Sequence, residues 1–183
     1  MMHAKVSSRF LRTCCTKLLG GQKVRTYNPE VAFMRLAIEQ AELARGAGDY
    51  AIGAVVVRDG MVLSKSGNRV KLDCDPTQHA EVAAIRMACS EIGHRHLEGA
   101  VLYTTAEPCP MCTAASIWAR MDGIVSGSTI EDMAAFRDLY GNSDWTWRTV
   151  DIAAHSILQQ GEPKLFLIEG FLRNECQALF HHN

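Results

Sequence analysis

Two short stretches constrain this 183-residue chain more than anything else in it: His79-Ala80-Glu81 and Pro108-Cys109-Pro110-Met111-Cys112. Each is weak alone, since a lone C-x-x-C is common and a lone histidine more often packs or hydrogen-bonds in a core. Together they require a fold that brings two separate helix starts to one point. Cys109 and Cys112 are three positions apart at a predicted helix start, so both sulfurs can aim at one place. A helix N-terminus and a metal both favour thiolate over thiol. His79 opens a different helix and adds an imidazole. One imidazole and two thiolates suit Zn²⁺, which is tetrahedral and borderline-soft, and three protein ligands leave one position for water. That open position separates catalytic from structural zinc.

Glu81 lies two positions after His79, beside the metal without being required as a ligand. Zinc lowers the pKa of bound water to about 7. A carboxylate in reach can take that water's proton and deliver it to a ring nitrogen and a leaving amine. The competing readings are a structural zinc site, which would normally show a fourth Cys or His nearby, and a metal-free core.

Hydrophobic periodicity places these motifs. Val31, Met34, Ala37, Ile38 and Ala41 repeat helically within Pro29–Arg45, with Asn28 as the expected N-cap and Gly46 and Gly48 ending the helix. Residues 53–57 and 61–65 flank Asp59-Gly60, a tight-hairpin pair. Residues 68–78 read as a loop. Helices are expected at 79–92 and 109–121, the second opened by prolines, with strands at 101–105 and 124–127. Two further helices (about 130–140 and 150–160), a strand at 164–168 and a terminal helix at 170–180 follow. Trp145 and Trp147 fall in a stretch without clear period. The order implies an α/β fold, a three-layer α/β/α sandwich on a mixed five-stranded sheet.

Composition narrows the setting. The seven cysteines, odd in number and irregularly spaced, argue against a disulfide framework and for a reducing compartment. No apolar run approaches the roughly 20 residues that cross a bilayer, so no membrane partner is expected. The first 29 residues hold six of the nineteen cationic residues and none of the twenty acidic ones, which leaves the rest at −7. Residues 1–28 therefore read as a basic leader, disordered, and 29–183 as the zinc-dependent domain. A cytoplasmic protein is expected, with an organelle transit segment as the alternative reading of the leader. An acidic body is a poor match for a polyanion.

The joint H-x-E and P-C-x-x-C pattern is a zinc deaminase signature, and most of residues 30–180 resembles the cytidine deaminase-like superfamily. The branch it is most similar to holds guanine deaminases and tRNA adenosine deaminases. The matching text is GAVVVRDG (53–60), GN (67–68), DPTQHAEVAAIR (75–86), LYTTAEPCPMCTAASIWAR (102–120) and, more loosely, IEGFLRNECQALF (168–180). The resemblance implies one Zn²⁺ per chain on His79, Cys109 and Cys112, with Glu81 as proton shuttle. It implies a heterocycle contact from Asn68, a substrate contact at Ala80, and a homodimer whose partner helps close the pocket. Asp132 is the expected polar contact from the less familiar region 132–160.

Two departures bear on substrate. Ala51-Ile52 stands where guanine deaminases carry a base-stacking aromatic before GAV, with Tyr50 a conceivable substitute. The chain ends CQALFHHN, where the tRNA-editing branch has a basic, aromatic tail. The favoured expectation is hydrolysis of guanine to xanthine and ammonia. The alternatives are adenosine-to-inosine conversion in tRNA, which needs a splayed base and a cationic surface, and a non-catalytic zinc-stapled binding module.

Overall fold

A computed structural model describes residues 27–181, together with the backbone of a two-residue antiparallel pair, β1 (Leu18–Leu19) and β2 (Gln22–Lys23). Almost all of the expected leader, 1–28, lies outside the described residues. The first helix, α1, spans Val31–Gly46. Its N-cap is Glu30 and not Asn28. The reason is tertiary: Glu30 N donates to the hydroxyl of fully buried Tyr103 at 3.0 Å, which ties the helix entry to the sheet.

The sheet is mixed, with β3 (Gly53–Arg58), β4 (Met61–Gly67), β5 (Ala100–Ala106), β6 (Gly123–Ser128) and β7 (Phe166–Ile168) in the order β4-β3-β5-β6-β7. β3 pairs antiparallel with β4 and β5, and β5, β6 and β7 run parallel. Asp59 and Gly60 both take positive φ in the β3–β4 turn, as the pair favours.

Strand alternation sends side chains into two cores. Val55, Val57, Val101, Tyr103 and Val125 pack with Phe33, Met34 and Ala37 of α1 and with Cys176 of the C-terminal helix. Ala54, Val56, Leu102 and Ile124 pack on the other face against α2 (Ala80–Ile92), α3 (Pro110–Trp118) and α5 (Ala154–Gln160). Between the last two comes α4 (Ile130–Tyr140), and α6 (Arg173–Gln177) closes the chain. The result is the expected three-layer α/β/α sandwich. The close packing of α1 explains Gly53, where a Cβ would lie 2.0 Å from Ala37 O.

The later helices are shorter than periodicity suggested. α3 stops at Trp118 because Arg120 adopts a left-handed φ of 53° before β6. α6 starts only at Arg173, after Gly170 and Leu172 take positive φ. No helix among the described residues is long and apolar enough to cross a membrane.

Topology also explains why the motifs meet. The start of β3 and the ends of β4, β5 and β6 lie along one edge of the sheet, as the Gly53–Gly67, Ala54–Thr104 and Ala106–Ser128 pairings require. Asn68, Glu107-Pro108-Cys109 and Thr129 leave the sheet together there.

Candidate metal centre and active site

His79 is the N-cap of α2 and Cys109 the N-cap of α3, with Pro110 in the first turn. The His79 side chain makes no capping hydrogen bond to α2. The three expected ligands converge: Cys109 Sγ lies 3.6 Å from Cys112 Sγ and 3.6 Å from His79 Nδ1, and Cys112 Sγ lies 3.5 Å from His79 Nδ1. A tetrahedral zinc with Zn–S near 2.3 Å and Zn–N near 2.05 Å requires edges of about 3.8 Å (S to S) and about 3.6 Å (S to N). The observed triangle fits those edges. His79, Cys109 and Cys112 form the one such three-ligand group among the described residues.

The three side chains are electrostatically coupled to one another. The hydrogen bond to Cys112 and the neighbouring His79 pull Cys109 down to about 4 against the effect of burial. That same sulfur contact, with burial, pushes Cys112 well above the ordinary thiol value. Burial pulls His79 down, but its hydrogen bond to Cys109 and the charges of Glu81 and Cys109 outweigh it, so it titrates above the usual imidazole value.

Glu81, in the first turn of α2, is only 3% exposed. Burial raises its pKa, the nearby His79 opposing. Its Oε2 is buried without a hydrogen-bond partner among the described residues. An unsatisfied buried carboxylate oxygen is costly in a purely structural role, and it is the atom a proton shuttle leaves free. Ala80, fully buried in the α2-side core, occupies the first helical position, where a backbone N–H lacks an intrahelical acceptor.

Asn68 sits at the mouth of the loop leading to His79. Arg69 N donates to Gln78 O at 3.0 Å, closing the loop at its base and bringing Asn68 beside the turn into α2. Within that loop Thr77 bonds Asp75 Oδ1 through its amide and its hydroxyl, each at 2.8 Å. Asp132 is not brought to the ligand group by any contact. Its carboxylate accepts from Thr129 N in a capping box and from Nε and Nη2 of Arg173 at 2.9 and 2.7 Å. These contacts tie Asp132 to the α4 cap and to α6.

Two groups escaped the sequence reading. Asp49, fully buried, accepts from Asn68, and Arg148, only 3% exposed, donates to the carbonyls of Glu107, Val150 and Ile152. Glu107 in turn accepts from Ile130 N and Ala154 N. Residues 141–153 are thus fastened directly beside Pro108-Cys109. Tyr50 joins them, its ring edge-on to Trp145 and Trp147 and its hydroxyl accepting from Thr146 N at 2.9 Å. Neither polar group carries a motif. The aromatic run around Trp145 and Trp147 was the only hint of a packed segment there. A surface cavity of about 1060 Å³ opens at the opposite end of β5 between Gly99, Met121 and Pro163 and holds none of these residues.

The three-ligand group at the strand ends of this α/β/α sandwich, with a buried carboxylate beside it, has the donor set of a zinc site that keeps one coordination position open. The family model for the cytidine and deoxycytidylate deaminase zinc-binding region matches residues 28–128, and the chain belongs to that family. Among curated proteins it is similar to a tRNA-specific adenosine deaminase of Agrobacterium fabrum, 48% identical over 52% of this chain and 63% of the relative. It is also similar to a guanine deaminase of Bacillus subtilis, 45% identical over 45% of this chain and 53% of the relative. The matched stretch thus spans under two thirds of either relative. A solved structure from studies of A-to-I editing by tRNA deaminases at the wobble position of transfer RNA superposes with a TM-score of 0.66, at 32% identity, covering 82% of this chain and all of that one. The fold is therefore cytidine deaminase-like, and the family's zinc-binding region contains His79, Cys109 and Cys112.

Proposed function

We propose that this chain hydrolytically deaminates a purine-type nucleobase or nucleoside, with guanine going to xanthine and ammonia. The observation that carries the reading is the unpartnered Oε2 of buried Glu81 next to a ligand triangle of zinc dimensions. Zinc on His79, Cys109 and Cys112 supplies the Lewis acidity that makes water nucleophilic near neutral pH. Glu81 takes a proton from the attacking water and passes it to the ring nitrogen, then takes the remaining proton of the newly added hydroxyl and passes it to the leaving amine as the C=O bond forms. Water adds to the amino-bearing carbon, the C–N bond breaks and ammonia leaves. Asn68 and the Ala80 amide orient the heterocycle at the mouth of the loop. Asp132 has no part in this scheme, because its acceptors are already engaged.

A small free base is favoured over RNA for two reasons. The chain beyond residue 29 is acidic, and residues 141–153 are fastened alongside the metal loop by buried Arg148. The likeness to the Agrobacterium tRNA-specific adenosine deaminase supports the second reading, adenosine-to-inosine conversion in tRNA. A non-catalytic zinc-stapled module would give no reason for an unsatisfied Glu81. The functional unit is proposed to be a homodimer, for which Trp118 at the end of α3, 77% exposed, supplies an apolar contact. The unpaired Cys74, Cys89 and Cys176, which lie outside the ligand group, suit a reducing compartment such as the cytoplasm.

The test is ammonia release from a panel of guanine, guanosine, cytosine and adenosine, run beside inosine formation in a tRNA anticodon loop. Release from guanine supports the reading. Inosine in tRNA with no release from free bases replaces it with the second.

A further inference from the structure

Asp49 is a fully buried carboxylate between α1 and β3 that the chemistry above does not use. It accepts four hydrogen bonds. Oδ1 takes Asn68 Nδ2 and Tyr50 N, each at 2.8 Å, and Oδ2 takes Lys71 N and Leu72 N at 2.8 and 3.1 Å. A carboxylate accepts and does not donate in such a site. The orientation of the Asn68 amide is therefore set by chemistry: nitrogen toward Asp49, oxygen away from it. Asn68 is 2% exposed, and no hydrogen bond among the described residues uses its Oδ1. The same carboxylate grips the amides of residues 71 and 72, so one group fixes both the loop that leads to His79 and the polarity of the side chain at its mouth.

We infer that Asp49 is a positioning residue that holds Asn68 with its carbonyl oxygen presented to the heterocycle, selecting a ring that offers an N–H at that edge. The inference rests on the purine deaminase reading and deepens it. Guanine carries ring N–H groups. Adenosine within RNA has only acceptor nitrogens in its ring, and its one N–H edge belongs to the amine that departs. An acceptor held out by Asp49 therefore favours a free oxopurine.

Substitution D49N separates this from mere support of the loop. The introduced amide can keep its oxygen on Lys71 N and Leu72 N, but its nitrogen then faces Asn68 Nδ2, two donors against each other. Asn68 must turn over or lose its partner. The experiment is calorimetric titration of guanine into zinc-loaded E81Q protein, which binds without turnover, and into the same protein with D49N, with N68A and with both. Zinc content and melting temperature are recorded for each. The expected result is a loss of guanine affinity of about 10–100-fold for D49N. N68A should lose a similar amount, and the double substitution should lose no more than N68A alone, because the two residues act as one unit. Unchanged binding in D49N, losses that multiply in the double variant, or loss of zinc in D49N would each overturn the inference. Failure of the deaminase reading shows separately, as absence of ammonia release by the unsubstituted protein. If D49N melts early, D49E, which keeps the acceptor, must restore guanine binding, and its failure to do so also overturns the inference.

Discussion

The roles proposed for Glu81 and for the ligands differ, and single substitutions should separate them. Glu81 is buried with a free oxygen, so Glu81→Gln removes the proton carrier without changing side-chain size. It should lower kcat by about 10²–10⁴-fold while one zinc per chain is retained, as read by turnover and metal analysis of the same preparation. Cys112→Ser should instead lose metal, since a hydroxyl is a far poorer zinc ligand than a thiolate. The triad and Glu81 were legible in the sequence because metal chemistry demands fixed residue types at short, local spacings. Asp49 and Arg148 were not legible, because each acts through backbone groups distant in sequence: Asp49 on Lys71 and Leu72, Arg148 on Glu107. Any segment can supply backbone amides and carbonyls, so such contacts leave no residue pattern. Asp132 shows the converse. A carboxylate in an unfamiliar region invited a substrate role, whereas Thr129 three residues earlier marks it as half of a helix cap.

At the scale of elements, buried polar pins join the apolar core in holding the chain after α3. Arg148→Met would leave the carbonyls of Glu107, Val150 and Ile152 without their donors. Destabilisation by about 2–4 kcal/mol in denaturant titration is expected. The α4 cap offers a pH test. The hydrogen bonds from Arg173, with that of Thr129 N, hold Asp132 below the usual carboxylate value despite partial burial. A group depressed in the folded state stabilises fully above its unfolded pKa of about 3.9, and that contribution is lost as pH falls through the lower folded value. Asp132→Asn should therefore cost stability near pH 7 and show a flatter stability profile below about pH 4, measured by melting temperature across that range. Strongly patterned elements were easy to read: α1, the β3–β4 hairpin and α2 lie within a few residues of expectation. α6 was over-extended because Gly170 and Leu172 take left-handed φ ahead of it, and α5 was over-extended at its start, where Arg148 holds the carbonyls of Val150 and Ile152.

At the scale of the whole molecule, the mixed sheet does the organising. One antiparallel hairpin followed by parallel crossovers gathers the beginning of β3 and the ends of β4, β5 and β6 on one edge, and the N-termini of α2 and α3 follow. Two helix caps thereby become two sides of one metal centre. The general architecture followed from the alternation of strands and helices. The antiparallel-then-parallel order is a long-range property that local periodicity does not encode. Because the triangle joins the starts of two separate helices, a metal held there would be coupled to the fold. The most direct measurement is a zinc titration of metal-stripped protein, followed simultaneously by ammonia release from guanine and by melting temperature. The account predicts that activity rises linearly to one zinc per chain and then stops, that melting temperature rises with it, and that Glu81→Gln reproduces the thermal gain without the ammonia. Full ammonia release at a zinc content near zero, or undiminished release by zinc-loaded Glu81→Gln, would contradict it.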